Sequence, residues 1–277
     1  MRILRRPLLL LLCLEALGII LCIHEIQRLS TGQLSVAFLD IGQGDCALLQ
    51  TPSGKRILID GGRDAAPLKL IGERLPIVDR RIHLLILSHP QLDHIAAFPE
   101  ILRRYTVDRI LMTGVVYDLP QYREFLALIR ERKIPVWIAD PRRDIDLGDG
   151  VILDVVWPSP VYLGRAAKEV NNTSIMLRVL TGRDAILFTG DAEMEEESAA
   201  LASGARLEAD VLKVGHHGSK TSSGTGFLLA VRPRVGVVSA AKSNSYGHPH
   251  QMIVDRYSAL NIPLRVTGWE GTIELIF

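Results

Sequence analysis

Short apolar runs rich in β-branched residues alternate along most of the chain with longer segments of helical spacing. The short runs predict strands at Leu34–Leu39, Ala47–Leu49, Arg56–Ile59, Ile82–Leu87, Arg109–Met112, Pro135–Ile138, Val151–Val156, Ile175–Leu180, Ala185–Phe188, Asp210–Val214, Val235–Val238, Leu264–Val266 and Thr272–Ile276. The longer segments predict helices at Ala65–Leu75, Ala96–Arg104, Gln121–Arg132, Glu193–Ala202, Gly226–Val231 and His250–Leu260. Because both kinds are interleaved, the pattern predicts layered sheets flanked by helices. No repeat or flexible linker divides this part, so we expect one domain over residues 31–277.

The first 30 residues have a different pattern. Met1–Arg6 carries three arginines, and Pro7–Ile23 then runs 17 residues with Glu15 as its one charge. A bilayer-spanning helix needs roughly 17–25 mostly apolar residues, and no small-x-small cleavage site follows. The pattern therefore favours an uncleaved, single-pass membrane anchor over residues 1–30. Because positive residues stay in the cytoplasm, the remaining domain is expected outside the cell membrane. A cleaved signal peptide on a secreted protein and a buried core helix are the alternatives.

Composition narrows the remaining choices. With 277 residues, 48% of them hydrophobic, the chain can bury the core of a globular domain. A formal net charge of +1 gives no global signature of a nucleic-acid binder, so any site for a polyanion must be local. Cys13, Cys22 and Cys46 are scattered and form no C-x-x-C pair, which argues against a disulfide framework or a thiolate metal site.

Polar residues recur where apolar strands end. The sequences LIDGG, SHPQLDH, FTGD and KVGHHGS each close a predicted strand with Asp, His or Gly. One buried Asp or His is usually structural, but several at strand ends indicate a site. Imidazole and carboxylate ligands come from His89, His94, His216, Asp93 and Asp191. Since an aspartate can bridge two cations, the set predicts one or two divalent metal ions that activate water for hydrolysis of an ester or phosphodiester.

The order of the motifs resembles one known family. In chain order the motifs are FLDIGQGDCALL, LIDGG, SHPQLDH, NNTSIML, FTGD, LKVGHHGS and YGHPH. This order resembles the metallo-β-lactamase superfamily and, within it, the soluble domain of DNA-internalisation competence proteins of the ComEC type, over Leu34 to Phe277. The resemblance implies an α+β fold, an αββα sandwich with the metals at one edge. It also implies a phosphodiesterase or nuclease acting on DNA outside the membrane, with a ComEC-type channel protein as a partner.

The chain departs from the superfamily pattern at two ligand positions. In H-x-H-x-D-H, His89, Asp93 and His94 match, while Gln91 replaces the second histidine; Asn172 stands where a further histidine is usual. The resemblance implies that one metal position keeps Asp93, His94, Asp191 and His216, and that the other keeps His89 and Asp191 with weak ligands from Gln91 and Asn172. A neutral amide offsets less of the cation's dehydration cost, so the second position should be weaker and the mixed set should favour manganese over zinc.

Other motif residues are expected to support this chemistry. Asp60 should brace the ligands, and Asp45 lies in a loop that either approaches the substrate or forms a plain turn. The polar loop that could hold a phosphate contributes His217, Ser219, Lys220 and Ser222. We expect catalysis to involve Asp93, Asp191 and His248, the last as a proton donor or a neighbour of the second metal. Two alternatives stay open: another hydrolase of the superfamily, acting on an ester, thioester or lactam, and a non-catalytic binding module with a degenerate metal site.

Overall fold

The computed structural model describes residues 13–20, 32–76, 79–158 and 160–277, and its centre is a pair of mixed sheets. The first sheet has, in spatial order, β16 (Ile273–Ile276), β1 (Ser35–Phe38), β2 (Ala47–Gln50), β3 (Arg56–Ile59), β5 (Leu84–Ile86), β7 (Ile110–Met112) and β8 (Val136–Ile138). Its first four strands pair antiparallel, and β3, β5, β7 and β8 are parallel. A separate parallel pair joins β4 (Arg81–Ile82) to β6 (Thr106–Val107).

The second sheet repeats this division. Its order is β15 (Leu264–Val266), β14 (Val235–Val238), β13 (Val211–Lys213), β12 (Asp184–Phe188), β11 (Met176–Thr181), β10 (Val151–Trp157) and β9 (Ile145–Asp146). The strands from β12 to β15 are parallel, and those from β9 to β12 are antiparallel. Each sheet therefore has a parallel half whose strands end at a common edge.

Helices cover the outer faces of the two sheets. Beyond the helical residues 13–20 (α1), they are α2 (Ala66–Arg74), α3 (Leu92–Ile95), α4 (Phe98–Arg104), α5 (Pro120–Arg132), α6 (Met194–Ala202), α7 (Thr225–Val231), α8 (Gln251–Ala259) and α9 (Thr267–Glu270). Three short 3₁₀ helices are η1 (Pro160–Tyr162), η2 (Asn171–Thr173) and η3 (Gly215–Gly218). Together the layers form the αββα sandwich that the sequence predicts.

Strand alternation builds three apolar layers. On β1, Val36 and Phe38 face the space between the sheets, where Phe38 stacks on Phe188 with ring centroids 5.5 Å apart. Ala37, between them, faces the helix layer instead. Because successive side chains on a strand point to opposite faces, a sheet covered on both sides needs apolar residues at every position. This explains the nearly continuous apolar runs in the sequence.

Local structure differs from the sequence prediction where elements are shortest. The predicted strand Ile82–Leu87 is divided between β4 and β5, because the backbone at His83 turns to pair with Arg56. The strands β6 and β9 and the one-turn helix α3 were not predicted, because two to four residues are too few for a hydrophobic period.

The structure describes only residues 13–20 of the predicted membrane anchor. Within the described ranges, no helix is long and apolar enough to cross a bilayer. Residues 13–20 are helical and exposed, and the remainder of the predicted anchor lies outside the described residues. The anchor and the domain boundary at residue 31 therefore stay predictions.

Candidate metal centre

The parallel strands of both sheets end beside one another and carry the polar motifs. Asp60 follows β3, His89 follows β5, Asp191 follows β12 and His217 follows β13 by a few residues. Ser239 directly follows β14. Because the carboxyl ends of parallel strands share one edge of a sheet, residues far apart in sequence meet there.

Four side chains form the centre of this cluster. The ligand atoms of Asp93, His94, Asp191 and His217 all lie within 4.8 Å of one another. The Oδ2 atom of Asp191 is 3.2 Å from Nε2 of His94 and 3.3 Å from Nε2 of His217. The same His217 nitrogen is 3.3 Å from Oδ2 of Asp93. This is a mixed imidazole and carboxylate set of the kind that zinc or manganese accepts.

Asp60 fixes the orientation of His94. Its backbone has a φ of 59°, a left-handed value that turns the side chain back under the neighbouring strand end. The Oδ1 atom accepts the Ser88 backbone N–H at 2.8 Å, and Oδ2 lies 2.7 Å from the Ser88 hydroxyl and 2.8 Å from Nδ1 of His94. With Nδ1 held in this way, Nε2 of His94 faces Asp191, which is how carboxylates orient ligating histidines.

His89 lies on the other side of His94, with ring centroids 4.2 Å apart. It is fully buried, its Nδ1 is 3.3 Å from the Ser174 hydroxyl, and its Nε2 has no hydrogen-bond partner among the described residues. The Ser174 hydroxyl also accepts the Asp191 backbone N–H at 3.0 Å. Ser174 therefore links His89 to the central aspartate.

The two amides predicted as weak ligands lie in different surroundings. Gln91 precedes α3 and lines the open cleft beside Asp93. Asn172 lies in η2 and is buried; its Nδ2 donates to Oε2 of Glu195 at 3.0 Å, and its Oδ1 has no partner in the described part of the chain. Each therefore has an amide oxygen that is not committed to the fold.

The HHG turn brings His217, rather than the predicted His216, into the central group. Both residues have left-handed φ values, 49° and 53°. His217 is buried, and its Nδ1 lies 2.9 Å from the Ser239 carbonyl oxygen. His216 faces the mouth instead: its Nδ1 is 3.2 Å from Oε1 of Glu193, and its Nε2 is 4.0 Å from Oδ2 of Asp191. Consecutive left-handed residues turn neighbouring side chains in ways that a sequence pattern does not reveal.

Lys213 is a buried cation that the sequence analysis missed. Its ammonium ion-pairs with Asp45, donates to the Gly190 carbonyl oxygen at 3.1 Å and lies 3.9 Å from Oδ1 of Asp191. Burial alone would raise the pKa of Asp45, but Lys213 and His217 lower it to about 2. Asp45 therefore supports the centre from within, and its loop contacts Asp93 through the hydrogen bond from Asp45 N to Asp93 O at 3.1 Å. A lone lysine in the apolar run VLKV was the signal that could have revealed it.

The cluster carries more acidic than basic side chains. The cluster holds the carboxylates of Asp45, Asp60, Asp93 and Asp191 and one ammonium, that of Lys213, which lies beside Asp45 and Asp191. Of these carboxylates, only that of Asp93 is more than slightly exposed. Burial would lower the pKa values of His94 and His217, yet Asp191 and its neighbouring carboxylates raise both well above the usual range. Without a metal, these imidazoles act as the compensating cations, since uncompensated buried charge is costly.

Unpartnered atoms mark where a metal ion would be held. Among the described residues, no hydrogen bond satisfies His89 Nε2, His94 Nε2, His217 Nε2 or Asp191 Oδ1, although all are buried. Buried polar atoms are otherwise nearly always paired, so this concentration fits a divalent cation. A second acidic group, Asp45, Asp60 and His94, already contains the Asp60–His94 hydrogen bond and the Lys213 ion pair, and we regard it as a supporting network.

A solvent-filled cleft of about 180 Å³ opens over the cluster. Its walls are Gln43, Arg63, Gln91, Leu92, Asp93, His216, His217, Tyr246 and His248. Burial, with His217 and His216 nearby, lowers the pKa of His248 to about 4, so this ring is neutral near pH 7 in the absence of metal. Its Nδ1 has no hydrogen-bond partner in the described structure. A neutral His248 can therefore accept a proton or bind a metal before it can donate a proton.

The serine side chains of the polar loop after His217 make hydrogen bonds within the turn. Ser222 is fully buried, and its hydroxyl donates to the Gly215 carbonyl oxygen at 2.7 Å, within the turn. Ser219 is also buried and lies 3.1 Å from the Thr221 hydroxyl. Lys220 is exposed. Ser219, Lys220 and Ser222 were predicted to hold a phosphate, and of these three Lys220 is the one that is exposed to solvent.

An αββα sandwich with imidazole and carboxylate side chains at one edge defines the metallo-β-lactamase class. Residues 39–242 match the family model described as "Metallo-beta-lactamase superfamily", and the chain belongs to this superfamily. It is similar to ComE operon protein 3 of Bacillus subtilis (strain 168), 31% identical over 259 residues, and to competence protein ComA of Neisseria gonorrhoeae, 32% identical over 244 residues. These matches cover 86% and 87% of this chain and 32% of each relative, so the chain spans about a third of their length.

Solved structures agree on the fold. The metallo-beta-lactamase fold protein YhfI from Bacillus subtilis superposes with a TM-score of 0.57 at 14% identity, covering 88% of this chain and all (100%) of that one. Igni18, a metallo hydrolase from Ignicoccus hospitalis, gives a TM-score of 0.53 at 17% identity, covering 88% of this chain and 99% of that one. At these identities the likeness establishes the fold alone.

Proposed function

We propose that this chain is a metal-dependent phosphodiesterase that cleaves DNA. The observation that carries the proposal is the group of Asp93, His94, Asp191 and His217 beneath an open cleft; in the described part of the chain, His94 Nε2, His217 Nε2 and Asp191 Oδ1 have no hydrogen-bond partner. Its relatives include ComE operon protein 3 and competence protein ComA, and these names support DNA as the substrate. Arg63, on the cleft wall, makes no ion pair within the described ranges and is suited to a phosphate.

Each group of ligands has a role in this proposal. Asp93, His94, Asp191 and His217 would hold one divalent cation, and His89 with Asp191 would hold a weaker second one, helped by Gln91 and Asn172. Such cations lower the pKa of water and neutralise charge on a phosphodiester. Asp60 keeps His94 in the ligating orientation, and Asp45 with Lys213 positions Asp191. The mixed oxygen and nitrogen set favours manganese, with zinc as the alternative.

A second candidate is a binding module whose metal site has lost its catalytic power. The observation in its favour is the pair of neutral amides, Gln91 and Asn172, at positions where the superfamily pattern has histidine. A hydrolase of esters, thioesters or lactams is the third candidate. A screen of the purified, metal-analysed protein against bis(p-nitrophenyl) phosphate, a thioester and a lactam separates these functions.

We also propose that residues 1–30 anchor the protein in the cell membrane, with the catalytic domain outside and a ComEC-type channel protein as a partner. The arginines of Met1–Arg6 and the apolar run Pro7–Ile23 support this orientation. Alkaline phosphatase fused after Phe277 should be active, because that enzyme requires an oxidising compartment to form its disulfides. An inactive fusion, with an active cytoplasmic reporter at the same point, would overturn the orientation.

Asp191→Ala tests the proposed chemistry. Because Asp191 contacts both central imidazoles, its loss should reduce manganese-dependent cleavage of single-stranded DNA by at least about a thousandfold, a scale typical of lost metal-ion catalysis. Asp255→Ala, on the exposed face of α8, is the matched control and should cleave normally. If wild type binds manganese but cleaves neither DNA nor the small diester, the binding-module candidate replaces the phosphodiesterase.

A further inference from the structure

Tyr246 lies on the wall of the cleft, in a loop that the Asn244 side chain holds in place. The Asn244 Oδ1 accepts the backbone N–H groups of Tyr246 at 3.2 Å and His248 at 2.9 Å. Its Nδ2 donates to the carbonyl oxygens of Ala241 at 3.1 Å and His248 at 2.6 Å. One side chain thus holds the backbone on both sides of the loop that carries Tyr246.

A series of rings leads from the metal cluster to this tyrosine. The ring of His248 lies nearly parallel to that of His217, with centroids 6.3 Å apart and 29° between planes. Tyr246 stacks on His248 in turn, at 5.7 Å and 23°. Tyr246 nevertheless keeps 57% of its surface exposed. One side of the ring therefore contacts histidine while much of the rest is available to a ligand.

The surroundings of Tyr246 suit one particular ligand group. Arg63 lines the same cleft and has no charged partner in the described part of the chain, and Gln43 and Gln91 add amides. A flat aromatic surface beside an uncommitted guanidinium is the combination that binds single-stranded nucleic acid, with a base on the ring and a phosphate on the cation. Bases inside a duplex stack on each other, so only an unpaired base can stack on a side chain here.

We propose that Tyr246 is a base-stacking platform that restricts the site to unpaired strands, with Arg63 binding an adjacent phosphate. This inference rests on the proposed phosphodiesterase function. It assigns substrate selection to Tyr246, which is not among the proposed metal ligands. Binding can therefore be tested without metal and without turnover.

The test measures binding of the complete chain, in mild detergent and a chelator, to a fluorescent oligothymidylate by anisotropy. Tyr246→Ala should weaken binding at least about fivefold, the lower end of the effect of losing one base-stacking contact. Tyr246→Phe should bind like wild type, because the ring remains. An abasic oligonucleotide of equal charge should bind Tyr246→Ala and wild type equally. Arg63→Ala should weaken binding of both oligonucleotides.

Trp269→Ala is the control for an exposed aromatic, since Trp269 is also 57% exposed and does not line the cleft. It should bind like wild type. Equal binding of oligothymidylate by Tyr246→Ala and wild type, or no binding by wild type, would overturn the platform. Hydrolysis of bis(p-nitrophenyl) phosphate with manganese is measured separately on wild type. The absence of both this hydrolysis and manganese-dependent DNA cleavage would refute the phosphodiesterase, while the anisotropy result alone decides the platform.

Discussion

At the scale of single residues, Asp60 is a fully buried carboxylate in contact with His94. It accepts hydrogen bonds from Ser88 and lies 2.8 Å from Nδ1 of His94, so it holds the ring with Nε2 directed at Asp191. Asp60→Asn should weaken manganese binding about 10- to 100-fold, the usual effect of removing such a partner. Calorimetric titration with manganese measures the affinity of wild type and of the variant. Asp64→Asn, an exposed residue that accepts the Ala66 N–H at 2.8 Å, is the control, and equal affinities for all three proteins would contradict the assigned role.

Gln91 offers a second prediction at this scale. If its amide oxygen faces the second cation, Gln91→Asp should tighten the weaker manganese site and raise activity at limiting manganese, because a carboxylate offsets the dehydration cost better. Gln43→Asp adds the same charge to another wall of the cleft and controls for general attraction. Manganese titration of the three proteins tests this. An unchanged second site in Gln91→Asp would mean that position 91 does not face the ions.

The sequence predicted which residue types gather in the site but not all of their positions. His89, Asp93, His94 and Asp191 could be chosen because each follows an apolar strand, and the structure brings them together. His216 and His217 could not be separated, because their left-handed backbone depends on contacts to Ser239 and Glu193 that are remote in sequence. Lys213 was missed for a related reason: a buried lysine is identified by its partners, which the fold supplies.

At the scale of elements, the turn η3 and the loop that carries His248 form one unit. Gly218 has a φ of +80°, and a Cβ there would lie 2.7 Å from Cβ of Pro249. The His250 N–H also donates to the Gly218 carbonyl oxygen at 2.9 Å. The position of His248 over the cluster therefore depends on a residue without a side chain at 218.

Gly218→Ala should consequently destabilise the fold by about 1–3 kcal/mol, since it adds backbone strain and a close contact with Pro249. It should also slow DNA cleavage, because Pro249 carries His248 with it. Gly226→Ala is the control: a Cβ there meets nothing within 4 Å, and alanine favours helix α7. Urea unfolding compares the variants. A Gly218→Ala protein as stable and active as wild type would show that the two segments move independently.

Element boundaries were largely predictable because the strands are covered on both sides and read as apolar runs. Two exceptions depend on the fold. The division at His83 follows from its pairing with Arg56. The single turn α3 is positioned by the packing of Gly61 against Phe98 and by backbone hydrogen bonds between α3 and the segment that contains Gly61. Such elements depend on tertiary contacts rather than on a period in the sequence.

At the scale of the whole molecule, the two sheets bring more acidic than basic charge to one edge, and the state of His94 and His217 sets how a cation enters. Their folded pKa values lie well above 6.5, because the carboxylates outweigh burial. The contribution of these imidazolium ions to the stability of the metal-free chain is therefore fully present below pH 6.5 and is lost as the pH rises through the folded values. A metal ion must displace the same protons.

Metal affinity should therefore rise with pH, and so should the stabilisation that the metal provides. A metal that binds the folded but not the unfolded chain raises the free energy of unfolding by about 2.7 kcal/mol when the free metal concentration is 100 times Kd. At a fixed manganese concentration, we expect a larger increase in Tm at pH 8 than at pH 6, and calorimetry in buffers of different ionisation enthalpy should show proton release on binding. Asp191→Ala should show little increase at either pH. A manganese-induced increase in wild type that is as large at pH 6 as at pH 8, with no proton release, would mean that His94 and His217 do not bind the metal.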